Sequence, residues 1–434
     1  MLGAGNHKQH HRNLGPNLLM VAFHYPPYSV SSGVQRAAKF AKYLPQYGIA
    51  PMVLTAKPFA YGVKADGGKG SDDGFVFRSF ALDTVTHLGV KGRYPGFLAL
   101  PDRWISWFPA AVVSGMRLIR KHRPLAVWST YPIATTHLVA IALQRISGLP
   151  WVADFRDPMV DEVHPQGKAK RRLFTWIEQT VLQRADSICF TTPGAAAMYR
   201  ERYPEVREGR ICTISNGFDE EDFISMRAPA RNSDEARRRV LLHSGTIYPL
   251  ERDPTSLIKA IAQLKEKKLI VADRLKVVLR ATGHDAFVRA LLLNYQVGDI
   301  VEIAPGLQYS DALREMCEVD GLLLLQAGNC NNQIPAKAYE YLRAARPIFT
   351  LADPTGDTAA LMRSVGMTCI SPIDNPVQIE RGLMTFLSQL DKPSLPLPQH
   401  ELITRFSRRH QAGELAEIVK SLGRNRLPKG MSKI

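Results

Sequence analysis

No run of about 20 apolar residues occurs in the 434-residue chain, so no membrane-spanning helix is expected. The segment Met1 to Asn13 is polar and His-rich, without the apolar core of a signal peptide. Cysteine is scarce and scattered. Cys189, Cys212, Cys317, Cys330 and Cys369 make no C-x-x-C pair, which argues against a disulfide framework or a zinc site and leaves them as small core residues. There is no P-loop, G-x-S-x-G elbow or H-E-x-x-H. Gly3-Ala4-Gly5 precedes the first apolar run, so it is no dinucleotide fingerprint. Asp72-Asp73 lies in a Gly-rich stretch and follows no strand. No metal and no cofactor are therefore expected.

Acidic residues are in deficit: 40 Asp and Glu against 56 Lys and Arg give a net charge of +16. Such a charge suits nucleic acid, an anionic membrane surface or phosphorylated substrates. It clusters at Lys168, Lys170, Arg171 and Arg172, which open a helix running through Trp176 to Arg184, at Arg237 to Arg239, and at Arg405, Arg408 and Arg409. Neither an aromatic-interleaved RNA-binding pattern nor a recognition helix accompanies these clusters, so no nucleic-acid partner is expected. A solvated basic face and attraction to anionic lipid both remain open. The expected location is the cytosol, or the periphery of the cytoplasmic face of the inner membrane.

A content of 45% hydrophobic and 22% charged residues is that of a globular protein, and the length suggests at least two domains. Strand-length apolar runs alternate with helical patterns, which predicts parallel α/β architecture. The runs are Leu18–Phe23, Met52–Thr55, Ala126–Ser129, Trp151–Phe155, Ser187–Thr191 and Ile211–Ile214, then Val240–His243, Leu275–Leu279, Ile300–Ile303, Gly321–Leu325, Pro347–Leu351 and Met367–Ile370. Between the two sets, Ile224 to Arg238 breaks the composition and predicts a domain boundary. Lys57 to Leu100, rich in Gly and Asp, reads as a long insertion or loop. The expected organisation is residues 1–16 disordered, 17–225 an N-terminal domain, 226–239 a linker, 240–400 a C-terminal domain, and 401–434 a terminal helix with a basic tail.

Polar residues gather just after several predicted strands, where open α/β sheets bind ligands. Ile334-Pro335-Ala336-Lys337-Ala338-Tyr339-Glu340-Tyr341 follows the strand Leu322–Leu325. Lys337 and Glu340 are three apart and share a helix face. The carboxylate can accept both hydroxyls of a ribose, while the ammonium and helix N-terminus suit a diphosphate. An ordinary surface ion pair would look the same. Phe23-His24-Tyr25-Pro26-Pro27 and Ser32-Gly33-Val34-Gln35-Arg36 place a Gly at a helix start, where backbone can approach a phosphate or sugar. Trp151-Val152-Ala153-Asp154-Phe155-Arg156-Asp157-Pro158 ends a strand in charges, which could bind ligand or simply cap the next helix. Ile214-Ser215-Asn216-Gly217-Phe218-Asp219 reads as a tight turn supporting a hinge. His243-Ser244-Gly245-Thr246-Ile247-Tyr248 and Glu251-Arg252-Asp253-Pro254 end a strand in Gly and begin a helix with Asp253 as N-cap.

In this order the segments resemble the family-4 glycosyltransferases, retaining enzymes of the GT-B fold. The branch is the bacterial polysaccharide one that reads I-P-x-K-x-x-E-Y and D-F-R-D-P. The resemblance covers about Asn17 to Leu422. It implies two Rossmann-like parallel-sheet domains facing each other across a cleft. It also implies transfer of a sugar from a nucleotide diphosphate-sugar donor to a lipid-linked or oligosaccharide acceptor, without metal. By this resemblance Gly33, Gly245, Thr246, Arg252, Lys337 and Glu340 bind the donor, and Asp157, Arg156, Arg252 and Lys337 form the catalytic set. The chain departs from the family at several positions. Asn332 stands where many members have the first Glu of Glu-x7-Glu, Arg156 where other branches have His, Thr246 where relatives have Arg, and Ser32 where they have Gly. An arginine cannot be a general base. A sugar-nucleotide epimerase on the same fold and a non-catalytic binding protein are the alternatives.

Overall fold

The computed structural model describes residues 15–28, 32–61, 75–89, 93–161, 164–224, 226, 238–390, 392 and 397–424. The chain forms two compact units: Met1–Ser215 with Arg408–Ile434, and Asn216–Ser407. Gly3-Ala4-Gly5, Asp72-Asp73, most of the expected linker and the basic tail lie outside the described residues.

The first unit holds β1 (Asn17–Val21), β2 (Ala50–Ala56), β3 (Val76–Ser79), β4 (Ala126–Thr130), β5 (Trp151–Arg156), β6 (Ser187–Phe190) and β7 (Ile211–Thr213). They form one parallel sheet in the order β3-β2-β1-β4-β5-β6-β7. Its helices are α1 (Ser32–Tyr43), α2 (Trp107–His122), α3 (Ala134–Ser147), α4 (Lys168–Arg184) and α5 (Pro193–Arg202). Successive side chains of a strand point to opposite faces. Leu19 and Val21 accordingly enter one core with Trp107 and Val139, while Leu18 and Met20 enter another with Phe40 and Ala41. Burial on both faces is why these strands read as continuous apolar runs.

The second unit repeats the plan with β8 (Arg239–Ser244), β9 (Leu275–Arg280), β10 (Val301–Ala304), β11 (Gly321–Leu325), β12 (Ile348–Leu351) and β13 (Ile370–Ser371) in the order β10-β9-β8-β11-β12-β13, again parallel. Its helices are α6 (Thr255–Glu266), α7 (Asp285–Asn294), α8 (Tyr309–Glu318), α9 (Ala336–Ala344), α10 (Asp357–Ser364), α11 (Pro376–Leu390) and the single turn α12 (His400–Ile403). The last helix, α13 (Arg408–Arg424), belongs to the first unit. Its Leu415, Ala416 and Val419 pack into the core that holds Leu18 and Phe40. This is the GT-B fold.

Three expectations change. The stretch Lys57 to Leu100 is no plain insertion, because it contributes the edge strand β3 to the sheet through pairing with β2. The units divide at Ser215/Asn216, upstream of the expected boundary, and again at Ser407/Arg408. The reason is packing: Phe218, Phe223 and Phe406 are buried in the second unit's core with Leu242 and Tyr339, and Phe218 N–H donates to the Phe406 carbonyl at 3.2 Å. Finally, α6 begins one residue later than read, with Pro254 at the N-cap position; Pro335 holds the same position before α9. Asp253 still caps α6 from one residue further out, accepting the Thr255 N–H at 2.8 Å.

Candidate functional site

In the second unit the strand order reverses between β8 and β11, and open α/β sheets bind ligands beyond the carboxyl ends of strands at such a point. Five of the expected residues meet there. β8 gives way to Gly245, whose φ of +147° is one that L side chains rarely adopt. A Cβ on Gly245 would lie 3.8 Å from Lys337 Cγ, so this lysine from the first turn of α9 stands beside the glycine. Lys337 Nζ is 2.8 Å from Glu340 Oε2, and the Tyr309 hydroxyl donates to Glu340 Oε1 at 3.1 Å. Arg252 reaches back from the same loop as Gly245: its Nη1 donates to the Thr246 carbonyl at 3.1 Å, and its guanidinium sits over the Tyr248 ring. One cation thus serves the backbone at Thr246. Ala327 N–H donates to the Glu251 carbonyl at 2.7 Å, which fastens the loop after β11 to the loop after β8. Asn332 is exposed on that loop.

Two further residues shape this end of the sheet. His243 is buried, and its Nδ1 lies 3.0 Å from the Leu323 carbonyl. A carbonyl can only accept, so in the neutral ring Nδ1 carries the proton. Burial lowers the imidazole pKa to about 4, and the charges of Arg252 and Lys337 push the same way. Tyr341 accepts the Ser244 N–H at 2.8 Å, so α9 holds the end of β8 directly. Both residues stood inside the quoted motifs. Their burial, which gives them these roles, is not encoded in residue type.

The first unit reverses its strand order between β1 and β4, and Gly33 and Arg156 meet near that point. A Cβ on Gly33 would collide with Arg156 Nη1, so only glycine lets the guanidinium lie against the start of α1. Arg156 has φ +61°, strained for a long side chain. It follows a register shift between β5 and β6, and such bulges re-aim side chains. Its carbonyl accepts the Thr191 hydroxyl at 2.7 Å, and its Nη1 donates to the Tyr131 carbonyl at 3.3 Å. Burial pulls the Arg156 pKa down, with Asp157 and Asp154 opposing. The half-buried Asp157 has its carboxyl pushed up by burial, against the pull of Arg156.

The charged ending of β5 therefore divides by role. Asp154 is structural: it receives Arg36 Nε and Nη2 at 2.9 Å each, and the Thr130 hydroxyl at 2.9 Å. Arg36 also donates to the Ile214 and Ser215 carbonyls at 2.9 and 2.8 Å. Asp154 with Arg36 thus ties β5 to α1 and to the end of the first unit. Of the turn read as a hinge support, Asp219 caps the following turn, accepting the Glu221 N–H at 3.1 Å.

With this geometry in hand, comparison with known proteins finds that residues 33–217 match the model of the glycosyl transferase 4-like domain. The matched span contains Gly33, Arg156 and Asp157. Solved structures resemble the chain as a whole in fold. Sucrose-phosphate synthase from Thermosynechococcus elongatus is 15% identical with a TM-score of 0.65, over 94% of this chain and 100% of that one. A glycosyltransferase from Rickettsia africae is 12% identical with a TM-score of 0.63, over 95% and 99%. Anabaena Alr3699/HepE, solved in complex with UDP, is 12% identical with a TM-score of 0.57, over 94% and 98%. Among curated proteins none matches significantly. Among the described residues no helix is long and apolar enough to cross a membrane.

Proposed function

We propose that the protein transfers a sugar from a nucleotide diphosphate-sugar to a lipid-linked or oligosaccharide acceptor, with retained configuration. The observation that carries this reading is the cluster at the reversal point of the second sheet: Lys337, Arg252 and Glu340 around a glycine with no side chain to obstruct a ligand. Glu340 accepts the ribose hydroxyls. Lys337 and Arg252 bind the diphosphate and stabilise the negative charge that grows on it as the sugar departs. Asp157 and Arg156 contact the sugars, with Arg156 binding charge and not moving protons. The UDP complex of Alr3699/HepE, a protein of similar fold, supports a nucleotide donor. No metal is needed in this scheme, since cations of the chain itself meet the leaving group. The protein works in the cytosol or at the cytoplasmic face of an anionic membrane.

A thermal-shift screen against sugar nucleotides, with and without chelator, tests the reading. Ligand at about 100 times its Kd stabilises the protein by roughly 2.7 kcal/mol. A melting temperature unmoved by every sugar nucleotide would favour a non-catalytic role, and an epimerised nucleotide sugar formed without acceptor would favour an epimerase. A strict need for manganese would contradict the metal-free scheme.

A further inference from the structure

Cys189 and Cys212 are 23 residues apart in the chain, yet the first sheet makes them neighbours. They are register partners on the parallel strands β6 and β7, so both side chains leave the sheet on the same face. Both thiols are free, and their Sγ atoms stand 3.2 Å apart. Adjacent strands run about 4.8 Å apart, inside the span of about 4.4–6.8 Å between the Cα atoms of a disulfide. The two backbones already stand where a bond between the thiols requires them.

The two thiols differ in a way that assigns each a part. Cys212 is partly exposed, whereas Cys189 is buried. The Cys189 S–H, donating to the Cys212 sulfur, pulls the Cys212 pKa down, with burial opposing and the Ser187 hydroxyl 3.5 Å away helping. The same hydrogen bond, together with burial, pushes the Cys189 pKa up. In thiol–disulfide exchange the sulfur that solvent reaches as a thiolate attacks, and an adjacent thiol resolves the product. Cys317 and Cys369 are internal controls, since burial raises the pKa of each.

We propose that Cys212 and Cys189 form a thiol–disulfide switch that reacts with small-molecule disulfides and locks β7 to β6. The Cys212 thiolate attacks one sulfur of the small disulfide, forming a mixed disulfide and releasing one small thiolate, which takes up the proton Cys212 has lost. Cys189 then attacks the Cys212 sulfur, and its proton leaves with the second small thiol. One internal S–S bond forms and one external S–S bond breaks, so the protein loses two electrons and two protons and the small disulfide gains them. The place of the bond gives it an effect on the fold. β7 has three residues and ends the sheet, with β6 beside it. Just past it the Ile214 and Ser215 carbonyls accept Arg36, and the chain leaves the first unit. A cross-link from β6 holds this short edge strand and restricts the unfolded chain between the two cysteines.

Oxidised glutathione is the probe, added to the full-length folded protein, with remaining thiols counted by alkylation in urea and located by peptide mass. The parent should fall from five free thiols to three, with Cys189 and Cys212 the pair lost. Cys189→Ala should stall with glutathione held on Cys212, and Cys212→Ser should keep all its remaining thiols. Melting curves establish that each variant folds, and if either does not, mapping on the parent decides alone. All five tryptophans lie in the first unit, so their fluorescence follows its unfolding. The oxidised parent should show a higher urea midpoint than the reduced parent, and dithiothreitol should remove the difference. Five thiols retained after oxidation, a bond formed by Cys317, Cys330 or Cys369 instead, or glutathione resting on Cys212 of the parent with no internal bond would overturn the switch. An unchanged or lower midpoint would overturn the lock on β7.

Discussion

Glu340 carries two partners in the free protein, Lys337 and the Tyr309 hydroxyl, and a ribose would have to share or displace them. Hydrogen bonds to a charged group contribute roughly 1.5–3 kcal/mol. Glu340→Gln should therefore weaken nucleotide binding by about that amount in calorimetry, with the melting temperature nearly unchanged because the side chain is partly solvated. Unaltered affinity would remove Glu340 from the site. Its sequence neighbours made this residue legible: a strand, a polar loop and a Lys three positions before it. His243 was not legible in the same way, because nothing in H-S-G states that the ring is buried and neutral. With His24 and His137 it has a pKa of about 4, lowered by burial. A base whose folded pKa is depressed binds protons in the unfolded chain first. Its stabilising effect is present above the unfolded value of about 6.5 and is lost as the pH falls towards 4. Asp102, Asp157 and Glu178, raised by burial, act in the opposite sense, contributing at low pH. The histidine effect is therefore isolated by substitution: melting temperature should fall less between pH 7 and pH 5 in His243→Gln than in the parent. Parallel curves would refute it.

At the scale of elements, parallel sheets were readable because strands covered on both faces are unbroken apolar runs; Leu322–Leu325 and Trp151–Phe155 are of this kind. β3 escaped notice for the converse reason. It is a four-residue edge strand, Val76-Phe77-Arg78-Ser79, only partly buried and next to a Gly-rich stretch. The Arg36–Asp154 pair was equally hidden, since its members are 118 residues apart and residue type alone cannot state which arginine an aspartate will meet. Yet the pair joins α1, β5 and the carbonyls of Ile214 and Ser215, with both side chains 1% exposed. Removing one member of a buried pair strands the other charge and costs about 3–5 kcal/mol. Asp154→Ala should destabilise the first unit by that amount in urea unfolding followed by tryptophan fluorescence. UDP binding should survive, because the proposed nucleotide cluster of Lys337, Arg252 and Glu340 lies wholly in the second unit. A loss under 1 kcal/mol would show that water reaches Arg36.

Across the whole molecule the dominant quantity is the charge of +16, which sequence composition shows at once, although not what it is for. The structure localises part of it. Lys168, Arg171 and Arg172 line a groove on α4 together with Trp176, whose ring is 46% exposed. A tryptophan beside cations suits the level of lipid headgroups. Each cation near an anionic surface contributes about 1 kcal/mol, so these residues together would add about 3 kcal/mol to attraction towards such a surface. Vesicles containing phosphatidylserine should sediment with the protein at low salt and release it as salt rises, since the screening length falls from about 10 Å at 0.1 M to about 3 Å at 1 M. Lys168, Arg171 and Arg172 replaced together by Gln should abolish most of the binding. A variant that sediments as well as the parent would place the membrane-facing charge elsewhere on the molecule, and a solvated basic helix that only aids solubility would then be the correct description of α4.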